Sequence, residues 1–493
     1  MAAVSPFLFS WNDVEARSDL ERFYLVRDNL PDENIVVALE KRRGNGRDDF
    51  PIRAMWNALI AGIVFQHASI ESLIRELSRN PSLLEACGFD ILPRQKKPVA
   101  ELKRNEETGQ MEIIRSGGGD AYFLVPGSWT FSRFLKNVIE LEEYSRIVSG
   151  MVRNLRESLM KELPDFGCHL GYDGKAINSY STGQESRKTG ETSDTDADWG
   201  KHETKGINSE TGKQWTKVKS WFGYGLHLIA DTQYEIPVAV HVTPASHSEH
   251  MELRSMIKEI FEETPQLGER CDDFVADRGL DSGETKAQLL DEYGIRPGID
   301  TRELWRDEKD EPGYDPAKPI TRPLYPDRAD TIVYTEKGTV HCICPVTGEQ
   351  RDMVFYGFEK DRNTLKYRCP AAVYGFSCEG CVECSSAGQS NPGEYGRVVR
   401  INIIEEDRRI FTPIPYGTQG WDRTYNRRSS LERINSRLDN DFGFEKHYIR
   451  GQAKMQTRVG LATAVMMAMA LGHVRAGRIE QMRSLVRPIA RAA

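Results

Sequence analysis

The spacing of hydrophobic and polar positions changes period several times along this chain, and each change predicts a different kind of structure. Up to about residue 165 the apolar side chains recur at helical spacing. PIRAMWNALIAGIVFQ (51–66) is one such run, Ser69 stands as an N-cap before IESLIRELSRN, and Pro81 opens PSLLEACGF. Residues 92–120 are polar, with Gly117, Gly118 and Gly119 in a row, and predict a loop; 128–162 return to helix. The short turns between the early helices suit a helix-turn-helix layout that presents one helix to a DNA groove, and they suit a plain helical bundle equally.

At residue 168 the period shortens. CHLGYDGKAI predicts a buried strand, and the polar stretch from Ser181 to Gln214 predicts a long loop. VKSWFGYGLHLIAD and EIPVAVHVTP then form an antiparallel hairpin that turns at Thr232 and Gln233. HSEHMELRSMIKEIF is a helix. DDFVAD is a short strand ending in Asp277, Ser282 caps a helix to about Tyr293, and IRPGID is a further strand. Residues 301–415, rich in Pro, Gly, Tyr and Cys with short β-like runs, read as an inserted subdomain, and from about Arg423 the chain is helical to its end. The expectation is an α/β protein with a mixed sheet flanked by helices. Its segments are a helical domain (1–165), a first catalytic part (166–300), a Cys-rich β insertion (301–415) and a helical C-terminal part (416–493).

Composition narrows the class. Of 493 residues, 39% are apolar and 28% charged, which gives a globular chain with a sizeable core. The longest apolar run, roughly Val459 to Leu471, is too short for a membrane span and reads as a buried helix. No basic region precedes the apolar residues near the N-terminus, so a cytoplasmic, nucleoid-associated protein is expected, with no membrane partner. A net charge of −8 weighs against a simple nucleic-acid coat but not against a DNA enzyme, whose basic contacts are local. Two basic stretches qualify: Arg423, Arg427, Arg428, Arg433 and Arg437, then Arg475, Arg478, Arg483, Arg487 and Arg491. Solvated helix faces explain either equally well.

The acidic residues stand at informative places. Asp173 lies within the first strand, Asp277 at the end of the fourth, and Glu432 near the start of SSLERINSRL, beside the buried stripe of Leu431, Ile434 and Leu438. Open α/β sheets gather ligands where loops leave strand ends. Cutting a phosphodiester needs an activated water or 3′-hydroxyl and a stabilised leaving oxygen, and two divalent ions about 3.5–4 Å apart supply both. Magnesium takes hard oxygen ligands, so three carboxylates from two strands and a helix suffice, with Asp173 bridging and Asp277 and Glu432 each holding one ion. His247 and His250 follow the third strand, where they cap or open the next helix or stand at the rim of this site.

These residues carry a resemblance. GYDGKAI around Asp173, VADRGLDS around Asp277 and YNRRSSLERINSRLD around Glu432 resemble the motifs of bacterial insertion-sequence DDE transposases. Tyr425, Arg428 and Glu432 match that group's Y-x2-R-x3-E pattern. The resemblance covers most of the chain and implies a ribonuclease-H-like catalytic domain. It implies Asp173, Asp277 and Glu432 as ligands of two Mg2+ or Mn2+ ions, and Tyr425 and Arg428 on scissile-strand phosphate, where arginine suits bidentate contact. The reaction implied is nicking at element ends followed by attack of the freed 3′-hydroxyl on target DNA. The partners are double-stranded DNA, both terminal inverted repeats and target, and a second protomer in a homodimer. A domesticated DNA-binding protein, or another ribonuclease-H-like nuclease, is the alternative. One position departs from the pattern. Seven residues beyond the Glu, where the group often has a phosphate-binding Lys, this chain has Asp439. Arg437 is the nearby cation, although it points about 200° away on the helix.

The cysteines form a second constellation: Cys342, Cys344, Cys369, Cys378, Cys381 and Cys384, with His341 adjacent. The C-x2-C spacing is a zinc-ligand pattern, and four of these thiolates would close a structural Zn2+ site. Free thiols are the alternative. Iron–sulfur spacing is also approached, but Ser385 stands where a proline would follow the last cysteine.

Overall fold

The computed structural model describes residues 18–44, 50–92, 94–95, 99–104, 111–116, 121–122, 124–184, 190–207, 214–305, 308, 319–327, 331–387 and 396–484. Gly117, Gly118 and Gly119, and Arg487 and Arg491, lie outside them.

The helical period is realised in α1 (Ser18–Asn29), α2 (Glu33–Arg43), α3 (Ile52–Val64), α4 (Ile70–Arg79) and α5 (Pro81–Cys87). The Ser69 hydroxyl accepts from the Ser72 amide at 3.2 Å, which gives the expected N-cap of α4. The stretch expected to be a loop contains strands instead. β1 (Arg94–Gln95) pairs with β4 (Ala121–Tyr122), and β2 (Val99–Arg104) with β3 (Met111–Ser116), both antiparallel. Their sequences lack the apolar alternation that marks a half-buried strand, so the pattern alone does not reveal them. α6 (Ser128–Ser145) and α7 (Ile147–Glu162) complete the helical part.

The sheet is mixed. β5 (His169–Asn178) is central, with β9 (Asp273–Ala276) parallel on one side and β10 (Arg296–Ile299) parallel beyond it. On its other side β5 pairs antiparallel with the C-terminal half of β7 (Gln214–Asp231), which also pairs with β8 (Ile236–Pro244). The N-terminal half of β7 pairs with β6 (Asp198–Ile207), so part of the expected loop is strand. Residues 217–220 of this ribbon are exposed on both faces, which explains the polar composition. α8 (Glu249–Glu263), α9 (Pro265–Arg270) and α10 (Gly283–Ala287) connect the later strands.

The insertion holds β11 (Thr321–Pro323), β12 (Ile332–Thr335), β13 (Val340–Ile343) and β14 (Gln350–Asp352) in one sheet. A second sheet contains β15 (Val354–Glu359), β16 (Thr364–Arg368) and β17 (Val398–Asn402), with the short helices α11 (Pro370–Tyr374) and α12 (Cys381–Ala387) between β16 and β17. α13 (Gln419–Asn426), α14 (Ser429–Asn440) and α15 (Gln452–Arg475) follow.

Two cores hold this together. The larger joins N-terminal helices (Phe23, Trp56, Leu155), sheet (Tyr172, Leu228) and C-terminal helices (Leu431, Met466) in one cluster; the smaller, around Trp305, Leu365 and Ile401, belongs to the insertion. α15 is long and apolar enough by composition to cross a membrane, but it is a core helix: it packs on α1, α3, α6, α7 and β8 and is buried along most of its length. A buried ion pair ties the two cores. Lys286 Nζ lies 2.7 Å from Asp281 Oδ1 and donates at 3.0 Å to the Arg409 carbonyl.

Candidate active site

β5 and β9 run parallel with Tyr172 opposite Ala276, so the residues that follow, Asp173 and Asp277, leave neighbouring strands at one level. Adjacent strands are about 4.8 Å apart, which sets these two side chains close together without any loop to bring them there. Asp277 is the first residue past β9 and is exposed; Asp173, inside β5, is partly buried.

Glu432 arrives on α14, which lies against the same face of β5 because Gly171 has no side chain. A Cβ there would come within 2.7 Å of Val275 Cγ2, 2.9 Å of Thr232 Cγ2 and 3.1 Å of Leu431 Cδ1. Gly298 does the same for α13, where a Cβ would stand 3.0 Å from Thr424 Cγ2. Leu431, Ile434 and Leu438 are fully buried, as their spacing predicts, and Glu432 projects to solvent beside them.

Arg428 stands among the acids. Its Nη2 is 3.1 Å from Glu432 Oε1 and its Nη1 is 3.8 Å from Asp277 Oδ1. Asp173 receives a hydrogen bond from Asn435 Nδ2 at 2.8 Å. Burial pushes the Asp173 carboxyl up to about 6, and the charges of Asp277 and Glu432 add to that. The Asn435 hydrogen bond and the Arg428 charge act against it. Asp173, Asp277, Glu432 and Arg428 therefore share one electrostatic neighbourhood. Among the described residues no three His, Cys, Asp or Glu side chains lie close enough together to ligate one ion; a guanidinium, itself a cation, bridges Asp277 and Glu432.

Tyr425 is close by but not on the helix of Glu432. α13 ends at Asn426 and α14 begins at Ser429, with the Arg428 amide donating at 3.0 Å to the Tyr425 carbonyl across the break. The Tyr425 ring stacks on Trp421 (centroids 4.7 Å apart, planes 15° apart) and lies 5.9 Å from the Arg428 guanidinium carbon. Arg437 is not brought to the acids. It lies five residues, hence about 140°, round the helix from Glu432. There it is largely buried and donates at 2.7 Å to the Glu235 carbonyl. Glu235 also takes Arg433 and Arg483, so much of the C-terminal basic charge is spent on ion pairs. Asp439 pairs with Lys175. His247 lies 3.1 Å from Glu252, and His250 lies beside Arg302; both stand where α8 begins.

Two groups at this site were not legible as such in the sequence. Asn435 looks like an ordinary helix polar residue, and only its position three residues after Glu432 hints at a role. Glu249 opens α8 and lies over Gly174, where a Cβ would meet Oε1 at 2.8 Å; burial and the nearby Asp277 charge raise its carboxyl.

The six insertion cysteines line one small cavity of about 30 Å3. Cys342 and Cys344 share a face of β13 and its extension, two residues apart, while His341 faces Asp352 at 2.8 Å. Backbone amides of Thr347, Val346 and Gly380 donate to the Cys344 sulfur, and the Gly380 amide donates to Cys378 as well.

Fold and site together define an α/β enzyme with carboxylates at one level of neighbouring parallel strands, flanked by an arginine. The family model described as "Transposase DDE domain" matches residues 189–468, more than half of the chain, and so includes Asp277 and Glu432 but begins after Asp173. The chain belongs to the DDE-domain transposases, and its function is that of a DNA transposase. No curated protein matches it. Among solved structures, piggyBac transposase in a synaptic complex with hairpin DNA is 11% identical over 95% of this chain and 79% of that one. Its TM-score is 0.35, too loose a likeness to argue from.

Proposed function

We propose that this chain is the transposase of a bacterial insertion sequence, with Asp173, Asp277 and Glu432 as its catalytic carboxylates on a ribonuclease-H-like sheet. The observation that carries the reading is the convergence of the three acids on Arg428 from two parallel strands and one helix. Arg428 occupies the charge of Asp277 and Glu432 here; with it displaced, this all-oxygen donor set would suit divalent cations, Mg2+ or Mn2+. When bound, two such ions supply a lowered pKa to the attacking oxygen and charge to the leaving one.

The chain's own groups do the rest. Asn435 fixes the orientation of the Asp173 carboxylate. Arg428, released from Asp277 and Glu432, presents a planar fork to a scissile-strand phosphate, and Tyr425 lies against it on the same side. The substrate is double-stranded DNA, cut at the terminal repeats and joined to a target through the freed 3′-hydroxyl. Pairing two ends calls for a homodimer, with the helices of 1–165 as the DNA-binding and dimerisation part, in the cytoplasm at the nucleoid. In the insertion, four of the six thiolates would close a structural Zn2+ site if drawn closer together; the cavity that all six line supports it.

Two measurements test this. Purified protein with Mg2+ should nick and join duplexes carrying its element ends, and Asp277→Ala should lose about 10²–10³-fold or more; equal activity in the variant sinks the site. Metal analysis should find one zinc per chain, lost in Cys344→Ser, and protein free of zinc would end that part of the reading.

A further inference from the structure

β5 and α14 meet in a register that the catalytic acids do not account for. Gly171, Asp173 and Lys175 alternate along one face of the strand; Leu431, Asn435 and Asp439 follow one another at four-residue intervals along the helix. They pair in order: Leu431 on Gly171, Asn435 on Asp173, Asp439 on Lys175. Two strand residues advance about 6.6 Å and four helix residues about 6.0 Å, so the two rows stay in step over three rungs. The third rung puts a cation one step beyond Asp173. Lys175 Nζ is paired with Asp439 and lies 3.5 Å from the Asn435 carbonyl, and the Lys175 and Asp439 side chains are 18% and 28% exposed, so solvent and ligand reach both. Asp439 Oδ1 and Asn435 Oδ1 are buried without a hydrogen-bond partner, an acceptor-rich seat that keeps a lysine in place.

We infer that Lys175 is a DNA-phosphate contact of this transposase and that Asp439 is the residue that aims it. The cation that related helices carry seven residues after the Glu is here delivered from the strand, and the acid on the helix is its counterpart rather than a defect. This rests on the reading of Asp173, Asp277 and Glu432 as the active site, since Lys175 flanks the first of them. An ammonium with three donors can keep Asp439 and still bind a phosphate oxygen beside the acids, as Lys does as a point charge.

The test is equilibrium binding of the full chain to a mixed-sequence duplex without divalent ions, as a function of potassium chloride. Each phosphate contact contributes about 0.9 to the slope of log affinity against log salt. Lys175→Gln should lower that slope by about 0.9. The exchange Lys175→Asp with Asp439→Lys should return it to the wild-type value, and Asp439→Asn alone should lower it part of the way, because Lys175 then loses the acid that aims it. The doubly neutral variant, Lys175→Gln with Asp439→Asn, leaves no unpaired charge to disturb folding and should show the same drop as Lys175→Gln. A wild-type slope in the doubly neutral variant, or an exchange variant that stays low, overturns the inference and marks the pair as structural only. Nicking by Asp277→Ala equal to that of the wild type would instead overturn the reading of the site, so the two failures are distinguishable.

Discussion

The catalytic sheet and the Cys-rich insertion solve the same problem in opposite ways. Around β5 the polar groups are drawn from residues as far apart as 173 and 432 and are held by a core that runs from N-terminal helices through the sheet to α15. In the insertion the reactive groups come from within about 40 residues, and the core behind them is a small cluster of its own. A large core fixes side chains by packing alone, whereas a small one needs a further constraint. The lesson is that the carboxylates are placed by the fold, while the thiols are grouped by local chain and would have to help hold theirs.

The contact between the two regions offers the strongest way to break this contrast. Lys286→Met leaves Asp281 buried without its partner and removes the bond to the Arg409 carbonyl; a loss of about 3–5 kcal/mol is expected in chemical denaturation. If the two cores are as separate as they look, the insertion should then become protease-sensitive before the sheet does. Simultaneous cleavage of both would mean one cooperative unit.

A smaller effect sharpens the catalytic side. Asn435→Ala frees the Asp173 carboxylate and should weaken Mn2+ binding, followed by calorimetry, by about 10–100-fold while the melting temperature stays near wild type. Unchanged affinity would show that Asn435 only packs.

The smallest concerns a polar cluster away from the acids. Burial works against charge on His241, but the hydrogen bonds its imidazole donates to Glu252 and Glu259 outweigh it and hold it up at about 9, from an ordinary 6.5. A raised pKa means the stabilisation is whole below pH 6.5 and disappears between 6.5 and 9. Thermal unfolding across that window should show a loss of about 2 kcal/mol, and His241→Gln should flatten it. A wild-type profile that is flat there refutes the assignment.

Much of the candidate site was legible in the sequence. Strand periodicity placed Asp173 and Asp277, and the stripe of Leu431, Ile434 and Leu438 fixed which side of α14 leaves Glu432 free, because burial selects helix faces by residue type. Composition misread the polar stretches. The strands at 99–104, 111–116 and 198–207 lie in stretches that predict loops, because their sequences lack apolar alternation.

What the sequence carried alone, then, is much of the run of elements and the choice of Asp173, Asp277 and Glu432 as candidates, since both depend on local period and motif spacing. Tertiary structure decided the rest. That Arg437 turns to Glu235, that Arg428 bridges Asp277 and Glu432, and that Asp439 answers Lys175 follow from how α14 lies across β5. Apart from Arg428 with Glu432, one helical turn away, these pairings join residues far apart in the chain. They depend on the close approach that Gly171 permits, a distance no local pattern encodes.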